Sequence, residues 1–350
     1  MWICDSHLDL GMNGVYFERD LRLPLEELRA REGGARADVG TATVTLPEMV
    51  DKRVPLAFGT FIALPRETAT QSFAFGYTTG PEAEQHALKQ LEYYRRLVED
   101  GMLRIITDRP AFEDHVAECD AGTVRQVGII LQMEGADPIL SPDDVGRWYD
   151  DGLRMIGPAW YGEGRYVFGT STPGGFKKDG PALLEAMQDV GMILDMAHLA
   201  EKAFYQAIDL YDGPLLASHA NARALVPGDR QLSDDMIRKL IERDGVIGTV
   251  CDCWMLDPNW RETRDNTKVT LATVADHIDH VCQVAGNADH AAFGSDLDGG
   301  FGREQSPGDL NSIGDLHGVA EVLRQRGYKD EDLDKIRNGN WGRVIRNAWA

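Results

Sequence analysis

No apolar run in this chain reaches the roughly eighteen residues that a membrane-spanning helix needs. The opening segment, MWICDSHLDL, carries no basic stretch and places Asp5 where a secretory signal would be apolar. Neither an anchor nor an export signal is expected, so the chain reads as a cytoplasmic protein with no membrane partner. Cysteine is scarce: Cys4, Cys119, Cys251, Cys253 and Cys282 are the five in 350 residues, an odd number without framework spacing, as in a reducing compartment. The Cys251-x-Cys253 pair follows GVIGTV and is expected to continue that strand with both thiols on one face. Positive charge is in deficit, with 36 basic against 57 acidic side chains and a net charge of −21. That balance argues against nucleic acid and anionic membranes as partners. Phosphate-cradling signatures are missing too, since the Gly- and aromatic-rich YGEGRYVFGTSTPGGF holds no G-x-G-x-x-G or Walker sequence. Without a repeat or a linker, residues 1–350 read as a single domain, and 43% apolar composition supplies a sizeable core.

What is present is a succession of short apolar runs that end in metal-ligating residue types. The stretch from Gly191 to Asn221 contains MILDMAH and PLLASH, read as buried strands of four to six residues. Between them AEKAFYQAIDLY has Ala203, Phe204, Ala207, Ile208 and Tyr211 at helical spacing. A strand, a helix and a parallel strand follow from that pattern. His198 and His219 are then placed at the same end of neighbouring strands, where parallel α/β folds gather ligands.

The same pattern recurs along the chain. Trp2 to Cys4 lead into His7 and Asp9, which point the same way on an extended segment and can offer a nitrogen and an oxygen to one cation. Residues 11 to 50 read as a long charged excursion with a helix near Leu25 to Arg31, followed by a strand from Val54 to Leu64. PEAEQHALKQLEYYRRLVEDG predicts a helix with Leu88, Leu91 and Val98 on one face. Its His86, and His115 in the next helix, are expected on the solvent side. A short strand LRIIT precedes VGIILQM, a run suited to a strand covered on both faces and ended by Glu134. LRMIGPAW gives a further strand and GVIGTV another. HAAFGSD closes the series at Asp296, with Asp298 two residues on. In the helix from Val269 to Ala285, His277 and His280 are expected on a solvated face.

Leaving LRIIT aside, eight strands separated by helices make a (β/α)8 TIM-type barrel of the α/β class the economical architecture. His7, Asp9, Glu134, His198, His219 and Asp296 then share one face. These are more donors than one tetrahedral zinc needs, and a carboxylate between two nitrogen-rich groups suits two cations.

Taken together, DSHLDL, QMEGAD, LDMAH, SHANARAL with Arg230 downstream, the HIDHV helix and FGSDLDGG resemble the membrane dipeptidase (renal dipeptidase) family of the amidohydrolase superfamily. The likeness runs from the first residues to the last helices. It implies a binuclear zinc barrel that hydrolyses dipeptides, with His7, Asp9 and Glu134 on one ion and Glu134, His198 and His219 on the other. It further implies hydroxide between the two ions as nucleophile and Asp296 as proton carrier, with Arg230 holding the carboxylate of a small-molecule substrate. From the residues alone Asp298 competes with Asp296, and a homodimer stays open.

One departure stands out. Family members have a Leu-Thr-His-Asn-like ending to the fourth strand, whereas this chain has GPAW and sets Trp160 at the histidine's place. Indole donates one hydrogen bond and cannot change charge. Trp160 is therefore expected to touch substrate and to weaken cleavage of small dipeptides. The alternatives are hydrolysis of an N-acyl amino acid, cyclic amide or ester, and a binding barrel without turnover.

Overall fold

The computed structural model describes residues 1–67 and 75–349. Nine strands form one parallel sheet: β1 Cys4–Leu8, β2 Leu56–Ile62, β3 Leu103–Ile105, β4 Val127–Glu134, β5 Leu153–Gly157, β6 Ile193–Asp195, β7 Leu215–Leu216, β8 Ile247–Thr249 and β9 Ala291–Phe293. Their order is β7-β6-β5-β4-β2-β1-β9-β8, with β3 pairing β4 off that path. A bridge between Ala217 and Ile247 joins the two ends: the Ala217 N–H donates to Val246 O and the Gly248 N–H to Ala217 O, each at 2.9 Å. The eight-stranded barrel expected from sequence is formed. LRIIT is the extra strand, paired with the first residues of β4 before β5 takes over from Leu131 onward.

The two ends of the barrel differ in chemistry. At the amino ends of the strands a cluster of Trp2, Cys4, Leu56, Phe58 and Trp341 packs shut, and the Trp341 indole N–H donates to Phe293 O at 2.9 Å. All eight residues of β4 are buried, the continuous apolar run carrying its one ionisable side chain, Glu134, to the opposite end. Inside the barrel, Gly248 and Gly294 allow close approach to Ser218: a Cβ at either would lie 2.0 Å or 1.9 Å from the Ser218 carbonyl oxygen. Side chains there would displace the segment that carries His219.

The strands are shorter than their apolar runs. β6 and β7 span three and two residues, so His198 and His219 stand three residues beyond their strands rather than on them. Asp195 ends β6 because its carboxylate accepts the Ala197 and Ser218 backbone N–H groups at 3.0 Å and 2.8 Å and turns the chain. The cysteine pair departs from expectation in the same way. β8 stops at Thr249, Asp252 caps a helix over Cys253–Leu256, and both thiols are free and buried.

Helix ends follow capping chemistry. Thr79 and Glu82 form a reciprocal capping box for Gly80–Glu99, and Ser233 caps Asp234–Glu242. Gly80–Glu99 buries Leu91 with Ala87, Tyr94 and Leu97, while Val98 is 38% exposed. The expected face is thus rotated by one residue. The excursion before β2 holds three helices, Leu10–Val15, Leu25–Glu32 and Leu46–Asp51. Three histidines read as solvent-facing are not. His115 is buried and bonds Pro55 O, and buried His277 accepts the Ala222 N–H at Nδ1. His86 is half-buried against the Tyr16 hydroxyl. No described helix is long and apolar enough to cross a membrane.

Candidate metal centre and substrate cavity

β1 delivers His7 from within the strand and Asp9 one residue past its end, and Glu134 closes β4. The Glu134 carboxylate divides the cluster. Its Oε2 faces His7 Nε2 at 3.6 Å, while Oε1 faces His198 Nε2 at 3.2 Å and His219 Nε2 at 3.3 Å. His7 Nε2 is also 4.0 Å from Asp9 Oδ1 and 3.9 Å from Asp296 Oδ1. Ligand atoms of His7, Glu134 and His219, and separately of His7, Asp9 and Asp296, lie within 4.8 Å of one another.

Surrounding groups fix which imidazole nitrogen is free. The Ser218 hydroxyl donates to Asp195 Oδ2 at 2.5 Å, so it accepts the proton of His219 Nδ1 at 2.7 Å. Gln132 Nε2 donates to the same Asp195 oxygen at 2.7 Å. Thr170 Oγ1 points its proton at His198 O and stands 3.1 Å from His198 Nδ1. His219 therefore turns an unprotonated Nε2 toward Glu134, and His198 does the same when its Nδ1–H donates to Thr170, the outer-shell arrangement that orients metal-ligating imidazoles. His7 lies stacked on His219 with ring centroids 3.6 Å apart, and both its ring nitrogens are buried without a hydrogen-bond partner. A bare imidazole in that position is costly unless a cation completes it.

Electrostatics point the same way. Burial, then Arg230, pushes the His7 imidazole down to about 3, and burial holds His198 and His219 well below the usual range. All three are neutral ligand forms. Burial, then Asp9 and Asp296, raises Glu134 well above a normal carboxylate. Burial, then Asp9, does the same for Asp296, and burial brings Asp9 up to about 6 even though the Thr60 hydroxyl donates to it at 2.6 Å. Three carboxylates converge on neutral imidazoles, and divalent cations are the charge that would relieve them. The donor set of three nitrogens and several carboxylate oxygens fits such ions.

Backbone strain gathers here as well. His198, Asp296 and Asp298 adopt left-handed φ values of 63°, 59° and 61°, each a conformation costing about 1–3 kcal/mol in a non-glycine residue. The two aspartates diverge from that turn. Asp298 accepts from Thr43 N at 2.9 Å, Thr43 Oγ1 at 2.7 Å and Val44 N at 3.1 Å, with Arg19 Nη1 at 3.5 Å. Its carboxylate is consumed by the excursion before β2, whereas Asp296 faces the cavity.

That cavity, about 190 Å³, is lined by Asp9, Glu134, His198, His219, Asp296, Arg230 and Trp160, and also by Tyr161, Asp252, Trp254, Phe301 and Gln305. All the residues singled out from sequence meet there except His7, which lies just beneath. Arg230 donates from Nη2 to His219 O at 2.8 Å, while its Nη1 is buried without a partner. The Trp160 ring packs 5.0 Å from Tyr161 and 6.4 Å from His198. Sequence reasoning missed Tyr161, Asp252, Gln305 and the Gln132–Asp195–Ser218 support. An acid directly after a strand run, as in TVCDCW, was the available signal for Asp252.

Comparison with known proteins identifies the family and the fold. The family model of membrane dipeptidase (peptidase family M19) matches residues 1–350. An uncharacterised protein from the pqqA 5′ region of Klebsiella pneumoniae is 34% identical over 232 residues, 64% of this chain and 83% of its own length. Dipeptidase tcpJ of Claviceps purpurea is 33% identical over 174 residues, 50% of this chain and 39% of its own. Among solved structures, a metallopeptidase from Rhodobacter sphaeroides carrying a phosphinate mimic of the dipeptide L-Ala-D-Ala aligns with a TM-score of 0.80 at 23% identity, over 100% of this chain and 99% of that one.

Proposed function

Because the chain belongs to the membrane dipeptidase family, peptidase family M19, we propose that it hydrolyses the amide bond of a dipeptide or dipeptide-like substrate. Two divalent ions, zinc being the best match to the donors, would be held by His7, Asp9 and Glu134 on one side and Glu134, His198 and His219 on the other. The observation that carries this reading is the division of Glu134, one oxygen toward His7 and the other toward His198 and His219. When bound, such ions supply Lewis acidity that polarises the amide carbonyl and makes water acidic enough to attack near neutral pH.

The chain's own residues do the rest. Asp296, opening onto the cavity at 17% side-chain exposure, accepts the proton of the attacking water and returns it to the leaving amine. The buried and unpartnered Arg230 Nη1 receives the substrate's terminal carboxylate. Trp160 lies beside the space where an apolar side chain of the substrate would rest, and this favours a bulkier residue over Gly-Gly or Ala-Ala.

Arg230→Lys should raise KM for free-carboxylate dipeptides about tenfold or more, the loss of one charged hydrogen bond worth roughly 1.5–3 kcal/mol, with a smaller change in kcat. Amidated dipeptides should barely distinguish the two enzymes, and an equal effect on both substrates would remove carboxylate recognition from Arg230. Ser218→Ala leaves His219 Nδ1 without its acceptor. Chelator competition should then show metal affinity reduced by roughly 10- to 100-fold, and unchanged affinity would mean the serine does not orient the ligand. The proposal as a whole is tested with L,L- and L,D-dipeptides and N-acyl amino acids. Turnover should vanish on chelation and return with zinc, and a metal-replete protein that cleaves none of them would refute it.

A further inference from the structure

Among the acidic side chains that line the cavity, Asp252 has no assigned use. Opposite in charge to Arg230, Asp252 lines the same space and is only 6% exposed. Its Oδ1 accepts Gln305 Nε2 at 2.8 Å and the Trp254 N–H at 3.3 Å, and its Oδ2 shares that Gln305 nitrogen at 3.0 Å. Two oxygens that can accept about four hydrogen bonds thus receive the backbone N–H and the indole of Trp254 and one divided amide. Asp252 forms no ion pair among the described residues. Arg261, whose guanidinium lies 4.3 Å from the Trp254 ring centroid, adds a weaker attraction without forming an ion pair. Burial brings the Asp252 carboxyl up to about 7 against the hydrogen bonds from Gln305 and Trp254 and the pull of Arg261. A buried carboxylate of this kind is costly until a cation meets it, and the open side of Asp252 is the cavity itself.

We propose that Asp252, steadied by Gln305, is a specificity-determining residue that receives a positively charged ammonium group of the substrate while Arg230 receives its carboxylate. This rests on the dipeptidase reading. The ammonium could come from the free α-amine of the first residue or from a basic side chain, the shared chemistry being a cation against a buried carboxylate. Fixing both ends of a zwitterion in one cavity of this size would align the amide between them and exclude acylated or purely acidic substrates.

The test compares metal-loaded wild-type enzyme with Asp252→Asn and Asp252→Ser on alanyl-alanine, N-acetyl-alanyl-alanine, lysyl-alanine and norleucyl-alanine. Wild type should lose at least about tenfold in kcat/KM when the α-amine is acetylated or when lysine gives way to norleucine. The variants should lose that discrimination, and whichever of the two contrasts collapses identifies the source of the ammonium. The serine variant covers the case in which asparagine disturbs packing beneath Trp254. Alanyl-alanine cleavage with no such discrimination in wild type, or with discrimination retained in both variants, would overturn the role of Asp252 and leave the dipeptidase reading standing. Failure of wild type on every dipeptide would instead overturn that reading, and this inference with it.

Discussion

Glutamine in place of Glu134 is expected to abolish turnover and to leave fewer than two divalent ions per chain. Glu134 is the residue whose two oxygens face different imidazoles, His7 on one side and His198 with His219 on the other. The amide keeps the shape but removes the charge, and its N–H₂ would donate to whichever unprotonated Nε2 it met. Losing several kcal/mol of charge stabilisation from a two-ion site, at about 1.4 kcal/mol per tenfold, corresponds to a fall in kcat of at least ~10³. Metal analysis beside steady-state kinetics checks both parts. Full occupancy with full activity would mean that Glu134 bridges nothing.

Asp296→Asn should have the second-largest effect with the opposite metal signature. A positioned proton carrier is worth roughly 10²- to 10⁴-fold, and asparagine cannot accept the proton, so kcat should fall by that range while both ions stay bound. The geometry makes the metal readout informative, since Asp296 Oδ1 lies 3.9 Å from His7 Nε2 and groups with His7 and Asp9. Loss of an ion in this variant would make Asp296 a ligand first. Asp298→Asn serves as the contrast. Its carboxylate holds Thr43, Val44 and Arg19, so the melting temperature should fall with kcat per folded molecule retained.

Much of this arrangement was legible in the chain because the candidate residues lie at or within three residues of the carboxyl ends of their strands. His7 and Asp9 come together at the end of β1, 4.0 Å apart, and Glu134 closes an apolar run that admits no other ionisable residue. The order of β/α units was readable for the same reason. Other features depend on contacts made far along the sequence. The left-handed φ values at His198 and Asp296 are features that no periodicity reports. The hydrogen bonds that occupy Asp298 come from Thr43 and Val44, some 250 residues away. His115 and His277 could not be read as buried because their acceptor and donor, Pro55 O and Ala222 N, come from other elements. Asp252 carried no motif, and its place at the cavity follows from where β8 stops.

Anomalous diffraction from crystals of the zinc-loaded protein, recorded at the zinc edge, tests the binuclear centre most directly. Two peaks a few ångströms apart are expected, one within coordination distance of His7, Asp9 and Glu134 and the other of Glu134, His198 and His219. A single peak, or two peaks with neither on Glu134, would contradict it.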